Sequence, residues 1–167
     1  MKITALFFGV FAGCLSCIPA HAADYLWNGG NGSWTDSGAW RLDDSTADWS
    51  NGNTAQFQTD SSITVGSGIS ASGMLYNGAA ITLNGGSLTL TGAAAGNNGG
   101  SATLSNTGLI LDAPNAEDSY EVRDTSLTGS ATLAKTGAGT VTLDGAHTAS
   151  GVWNINAGTL VFTGERN

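Results

Sequence analysis

Apolar residues in this chain recur at every second position, in short bursts. Ala55-Gln56-Phe57, Ile63-Thr64-Val65, Met74-Leu75-Tyr76, Ile81-Thr82-Leu83, Leu88-Thr89-Leu90 and Val141-Thr142-Leu143 each place two apolar side chains on one side of an extended segment and the middle residue on the other. Val152-Trp153-Asn154-Ile155 and Leu160-Val161-Phe162 are similar bursts further on. Turn formers such as Asn77-Gly78 and Gly85-Gly86 separate them. Strands this short cannot make independent sheets, so they need neighbours of the same pattern stacked above and below. The pattern therefore predicts an all-β fold, a right-handed single-stranded parallel β-helix (solenoid). Its interior is lined by Leu, Ile and Val, and Thr82, Thr89 and Thr142 face water, where β-branching suits an exposed strand.

The chain also repeats itself. Ser101-Ala102-Thr103-Leu104-Ser105-Asn106-Thr107-Gly108 matches Ser130-Ala131-Thr132-Leu133-Ala134-Lys135-Thr136-Gly137 at six of eight positions, 29 residues later. Leu111-Asp112 and Leu143-Asp144 follow the two copies. Spacing of this size suits stacked repeats, and rungs of about 20 to 29 residues would give roughly five to seven turns.

Residues 23–53 break the pattern. Trp27, Trp34, Trp40 and Trp49 lie among Gly, Asn, Ser and Asp with no strand or helical period connecting them. One reading is a glycan platform in which these four indoles stack on sugar rings. The favoured reading is a Trp-rich N-terminal cap, since the first rung of a solenoid needs a cover that differs from its body. Residues 54–167 are then the β-helix rungs.

Composition agrees with a turn-rich, stacked fold. Gly, Thr, Ser and Asn supply 75 of the 167 residues, while only 11% are charged and two are proline, so neither a charged disordered tail nor a Pro-rich linker fits. Residues 1–22 read as a signal peptide: Lys2 is the positive region, Ile3 to Ile18 the apolar stretch, and Ala20-His21-Ala22 the A-x-A cleavage pattern. Export follows, to the periplasm, outer surface or extracellular space, with no stable membrane insertion of the mature chain. Cys14 and Cys17 both leave with that segment, so stability must come from stacking rather than disulfides. Acylation at Cys17 is disfavoured because Cys14 stands where such sites carry a branched apolar residue. The net charge of −8 becomes −9 without Lys2, which argues against a phosphate-backbone partner and hence against nucleic acid.

Chemistry-bearing constellations are sparse. His147 is the one histidine after residue 22; it sits in a turn-like segment, DGAHTASG, without the partners of a triad or a zinc site. The stretch from Asp112 to Asp124 gathers Asp112, Glu117, Asp118, Glu121 and Asp124, but its spacing matches no calcium loop, and it reads as a solvated loop projecting from one rung. Asp112 and Asp144 follow equivalent Leu residues, so stacking could bring these two carboxylates together, as polysaccharide cleavage requires. That enzymatic alternative is secondary, because Asp is a common strand terminator. No catalytic, cofactor-binding or metal-binding residue is assigned.

Lys135-Thr136-Gly137, Gly139-Thr140-Val141-Thr142-Leu143, Gly145, Gly151 and Gly158-Thr159-Leu160 fill a specific pattern within residues 133–162. Through them the chain resembles the autotransporter-associated β-strand repeat. Trp27-Asn28-Gly29-Gly30, Trp34, Trp40, Asn53-Thr54-Ala55-x-Phe57 and the run from Leu83 to Leu90 are similar to the way passenger domains carrying that repeat begin. The resemblance implies a parallel β-helix exported to the bacterial surface, acting as adhesin or stalk toward cell-surface or matrix glycans or proteins. It carries over no catalytic residue. It departs from the family in lacking the C-terminal membrane β-barrel, which leads to the expectation of the N-terminal part of a longer passenger rather than a small free solenoid. The last burst, Leu160 to Phe162, leaves its rung open and invites end-to-end self-association.

Overall fold

The computed structural model describes residues 22–164, so the signal-peptide and acylation readings and the terminal Glu165-Arg166 lie outside the described residues. Over this range the chain forms only strands and turns. Four short strands build the N-terminal end: β1 (Asp24–Trp27), β2 (Gly32–Ser33), β3 (Trp40–Leu42) and β4 (Ser45–Ala47). The coils follow as β5 (Asn53–Phe57), β6 (Ser61–Thr64) and β7 (Ile69–Asn77); β8 (Ala80–Asn84) and β9 (Ser87–Leu90); β10 (Ala94–Asn97), β11 (Ser101–Ser105) and β12 (Gly108–Asp112). They end with β13 (Ser119–Val122), β14 (Thr125–Thr128) and β15 (Thr132–Thr136), then β16 (Thr140–Leu143), β17 (Trp153–Ile155) and β18 (Thr159–Phe162).

Pairing turns these strands into a parallel β-solenoid of about five coils with three faces. The first face runs β1, β5, the second half of β7, β10, β13, β16, β18; the second runs β2, β6, β8, β11, β14; the third runs from the first half of β7 through β9, β12 and β15 to β17. Strand β7 belongs to two faces because the chain turns a corner within it, at Gly73, where a register shift accommodates the bend.

In-register stacking explains why the alternating bursts had to be apolar. On the second face Ile63, Leu83, Leu104 and Leu127 form one inward column. Ile69, Leu88, Leu109, Leu133 and Trp153 form another on the third face, and Ala55, Met74, Ala94, Val122, Leu143 and Phe162 one on the first. Nearly all of these side chains are buried, giving one continuous core. The middle residues point outward and stack as polar ladders, Ser62, Thr82, Thr103, Ser126 and Thr64, Asn84, Ser105, Thr128.

Two expectations about the repeat need correction. The 29-residue correspondence is not a stacking register: Ser101–Ser105 lies on the second face, whereas Thr132–Thr136 lies on the third. Leu104 stacks on Leu127 and Leu109 on Leu133. Each face demands the same apolar-x-apolar pattern, so similar sequence recurs on neighbouring faces. For the same reason Asp112 and Asp144 do not superpose. Asp112 pairs with Thr136 on the third face, while the Asp144 N–H donates to the Val122 carbonyl beside the first. The segment between β12 and β13 does project as a loop, and Tyr120 and Val122 rejoin the sheet as the alternation indicates.

Candidate functional site

Three places on the solenoid carry features beyond the repeating core: the aromatic end, the last coil, and the loop between β12 and β13.

At the N-terminal end the four indoles are packed on one another. Trp40 lies with ring centroids 5.1 Å from Trp27, 4.9 Å from Trp34 and 4.8 Å from Trp49, and Trp34 and Trp40 reach Phe57 of the first coil at 5.9 and 5.7 Å. Phe57 in turn meets Tyr76 of the next coil. The Trp40 indole donates to the Trp34 carbonyl at 2.8 Å and the Trp27 indole to the Gly30 carbonyl at 3.0 Å, so these polar edges are satisfied inside the cluster. Trp27, Trp34 and Trp40 are buried; Trp49 is half-buried, with its indole N–H on Asn51. The hairpin of β3 and β4 turns through Asp43 and Asp44, both with positive φ, as a two-residue type I′ turn requires. It lies antiparallel on β1 and occupies that strand's outer edge. Beside it is an open cleft of about 110 Å³, lined by Asn28, Arg41, Gln58 and Thr59 together with Leu26 and Trp27. Its size suits a small group rather than a whole ligand, for which pockets of roughly 300–1,000 Å³ are usual.

The last coil is different in kind. Its inward residues Trp153, Ile155, Leu160 and Phe162 continue the columns beneath them, yet Val152 is 65% exposed, Ile155 59%, Phe162 40% and Val161 39%. Trp153 and Phe162 stack at 5.4 Å with nearly parallel rings, and His147 packs edge-on against both. His147 is no surface turn residue. It is buried above Leu127, taking the place of a second-face strand in this coil, and its Nδ1 accepts the Leu127 N–H at 3.3 Å. That bond assigns the Nδ1 lone pair to the backbone.

Lys135 was legible only as a motif letter, but its alternation position, two residues after Leu133, turns it inward. The side chain is fully buried in the column of Leu90, Leu111 and Ile155. Its ammonium donates to the carbonyls of Thr136 and Gly137 at its own corner, the latter at 2.9 Å, and reaches the Ala157 carbonyl of the next coil at 3.5 Å. Burial pulls its pKa below the ordinary lysine value, with the Asp112 carboxylate opposing. Asp112 itself accepts a hydrogen bond from the Thr136 hydroxyl at 2.9 Å.

In the loop between β12 and β13 the acids act mainly as turn fasteners. Asp118 accepts the Asn115 N–H at 2.8 Å, Glu121 pairs with Arg123, and Asp124 accepts the Gly96 N–H at 3.1 Å. Among the described residues no group of three or more His, Cys, Asp or Glu is placed to hold a metal ion.

Residues 133–162 match a family model described as the passenger-associated-transport-repeat. No curated protein and no solved structure matches the chain. The matched segment spans β15 to β18, where Gly137, Gly139 and Gly158 stand at corners whose backbones touch the adjacent coil. An added Cβ on Gly137 would overlap the Ala113 carbonyl, and one on Gly139 the Asp118 carbonyl. The matched repeat and the parallel solenoid together fit an autotransporter passenger-like repeat protein.

Proposed function

We propose that this passenger-like solenoid is an exported, noncatalytic structural module that displays its outer faces on a bacterial surface as an adhesive stalk. The observation that carries this reading is the uninterrupted in-register core: inward columns cross every coil, while the outward positions are ladders of Ser, Thr and Asn. A repeat of the matched type implies export and a surface or extracellular location. The leader-like residues 1–22 and the absence of cysteine beyond Cys17 support the same route. The chemistry is mechanical. Coils that share one dry column transmit load along the axis, and the polar ladders supply hydroxyl and amide groups to a partner surface.

The test is display of the chain on a carrier outer-membrane barrel, with retention of cells on matrix proteins and polysaccharide films measured against carrier alone. Raised retention on at least one surface supports the adhesive role. Equal retention on all of them removes it and leaves the stalk.

A second reading, glycan binding at the N-terminal end, draws on the cleft of Asn28, Arg41, Gln58 and Thr59 and on the half-buried Trp49. Trp27, Trp34 and Trp40 spend their ring faces on each other. On this reading only Trp49 and the edge of the cleft meet sugar, so a polysaccharide titration would shift a minor part of the tryptophan emission. No shift with any polysaccharide would dismiss it.

A further inference from the structure

The last coil is an interface with half of its atoms present. Trp153, Ile155, Leu160 and Phe162 are seated in the register of Leu133, Lys135, Val141 and Leu143 below them, but nothing among the described residues is stacked above. Every large apolar side chain exposed among the described residues belongs to this coil: Val152, Ile155, Val161 and Phe162. Strand β17 pairs only with β15, and β18 only with β16, so each keeps one free edge. On β18 the N–H groups of Thr159 and Thr163 bond to Gly139 and Leu143 of the coil below. The alternate residues Leu160 and Phe162 therefore turn their N–H and C=O groups to the open side.

We propose that this end docks a second copy of the chain, tail to tail about a two-fold axis, with the two β18 strands pairing antiparallel. The inference rests on the stacked-coil reading above and adds the partner. Three features select a copy arranged in this way. First, the docking surface is continuous with the coil-on-coil interface already formed five times over, and it offers the same chemistry of apolar columns flanked by strand edges. Second, the stretch from Gly145 to Gly164 contains no Asp, Glu, Lys or Arg, in a chain of net charge −8. Two such ends approach without like-charge repulsion between their last coils, whereas Asp24, Asp36, Asp43, Asp44, Asp48 and Asp60 crowd the other end. Third, that other end is closed: the tryptophan cluster plugs the core and β3 covers the outer edge of β1. Head-to-tail growth into a filament is thereby blocked, and an isologous contact closes at two.

The experiment measures the mass of the secreted full chain by light scattering across a concentration series, beside Ile155→Lys and Val152→Glu, with far-UV circular dichroism on each. Both substituted side chains are more than half exposed, so the fold is expected to survive the changes. A dimer for the parent chain and monomers for both variants, all with the same β spectrum, is the expected result. A β-rich parent that stays monomeric at every concentration, as an end reserved for a further coil or for another solenoid would give, overturns the proposal and leaves the stacked-coil reading intact. A dimer that both charges leave unchanged overturns it too, as does an open-ended series of oligomers. A chain without a β spectrum overturns the coil reading itself.

Discussion

Gly158 lies against Gly139 of the coil below, so closely that a Cβ on Gly158 would overlap the Gly139 carbonyl oxygen. Gly158 also has φ +67°, in the left-handed region. Two separate demands thus fall on one residue, backbone conformation and backbone approach, and both recur at Gly137. The Gly spacing of the repeat is the sequence trace of coil corners touching. Gly158→Ala should cost at least the ~1–2 kcal/mol of a left-handed non-glycine residue. For a domain of this size that lowers Tm by roughly 3 °C or more. A thermal melt checks it; an unchanged Tm would mean that the corners are not in contact.

The core columns predict a gradient along the axis. Leu143 is fully buried between Val122 and Phe162, whereas Leu160 lies in the half-covered last coil. Leu143→Ala should destabilise by about 2–5 kcal/mol, the range for a buried leucine. Leu160→Ala should cost distinctly less, because much of its surface never left water. Chemical denaturation of the two variants checks the order.

Two buried phenols set the alkaline limit. Tyr76 shares a hydrogen bond with Thr125, two coils on, at 3.2 Å, and burial, with the Asp124 carboxylate adding to it, raises its pKa. Tyr120 donates to the Leu90 and Asp112 carbonyls, and burial, with the Asp112 charge, raises its pKa as well. Raised phenol pKa values mean that the folded chain keeps protons the unfolded chain has lost. Their contribution is intact below pH 10.0 and drains away as pH climbs beyond it. Lys135 has the opposite sign: its lowered pKa makes stability rise with pH up to the unfolded lysine value of 10.5. Melts across pH 8 to 12 should therefore fall off above pH 10, and more gently in Tyr76→Phe.

Lys135 is the sole lysine once residues 1–22 are removed, and it is sealed in the last coil. Amine acylation of the native chain at neutral pH should modify only the N-terminus, with a second adduct appearing on denaturation. Mass spectrometry reads the difference. A second adduct at the native rate would mean that the Lys135 carbonyl cage opens freely.

Much of the fold was legible because alternation is a local signal. Ile81-Thr82-Leu83 announces its own inward and outward sides without reference to any other residue. Which face a burst occupies is not local. Ser101–Ser105 and Thr132–Thr136 read almost alike yet lie on different faces, since each corner of the coil imposes the same requirement. Clustering of Trp27, Trp34, Trp40 and Trp49 could be read from their crowding, and their mutual packing follows from having a core end to fill. His147 was misjudged because its burial depends on lying one coil above Leu127, a relation set by turn lengths. Lys135 could have been found: two residues from Leu133 on a strand, it had to face the interior. The Tyr76–Thr125 bond spans 49 residues and leaves no local trace.

The register itself is the most direct test. Thr82 and Thr103 are stacked neighbours on the second face, both pointing outward, whereas Ser105 is one outward position further along. Parallel in-register coils put a Thr82→Cys/Thr103→Cys pair at about 4.8 Å between Cα atoms, within disulfide reach, and a Thr82→Cys/Ser105→Cys pair at about 8 Å, outside it. Oxidation of the secreted, leader-free chain should close the first disulfide in the native state and not the second. Closure of the second in preference to the first, or of neither, would contradict the stacked solenoid.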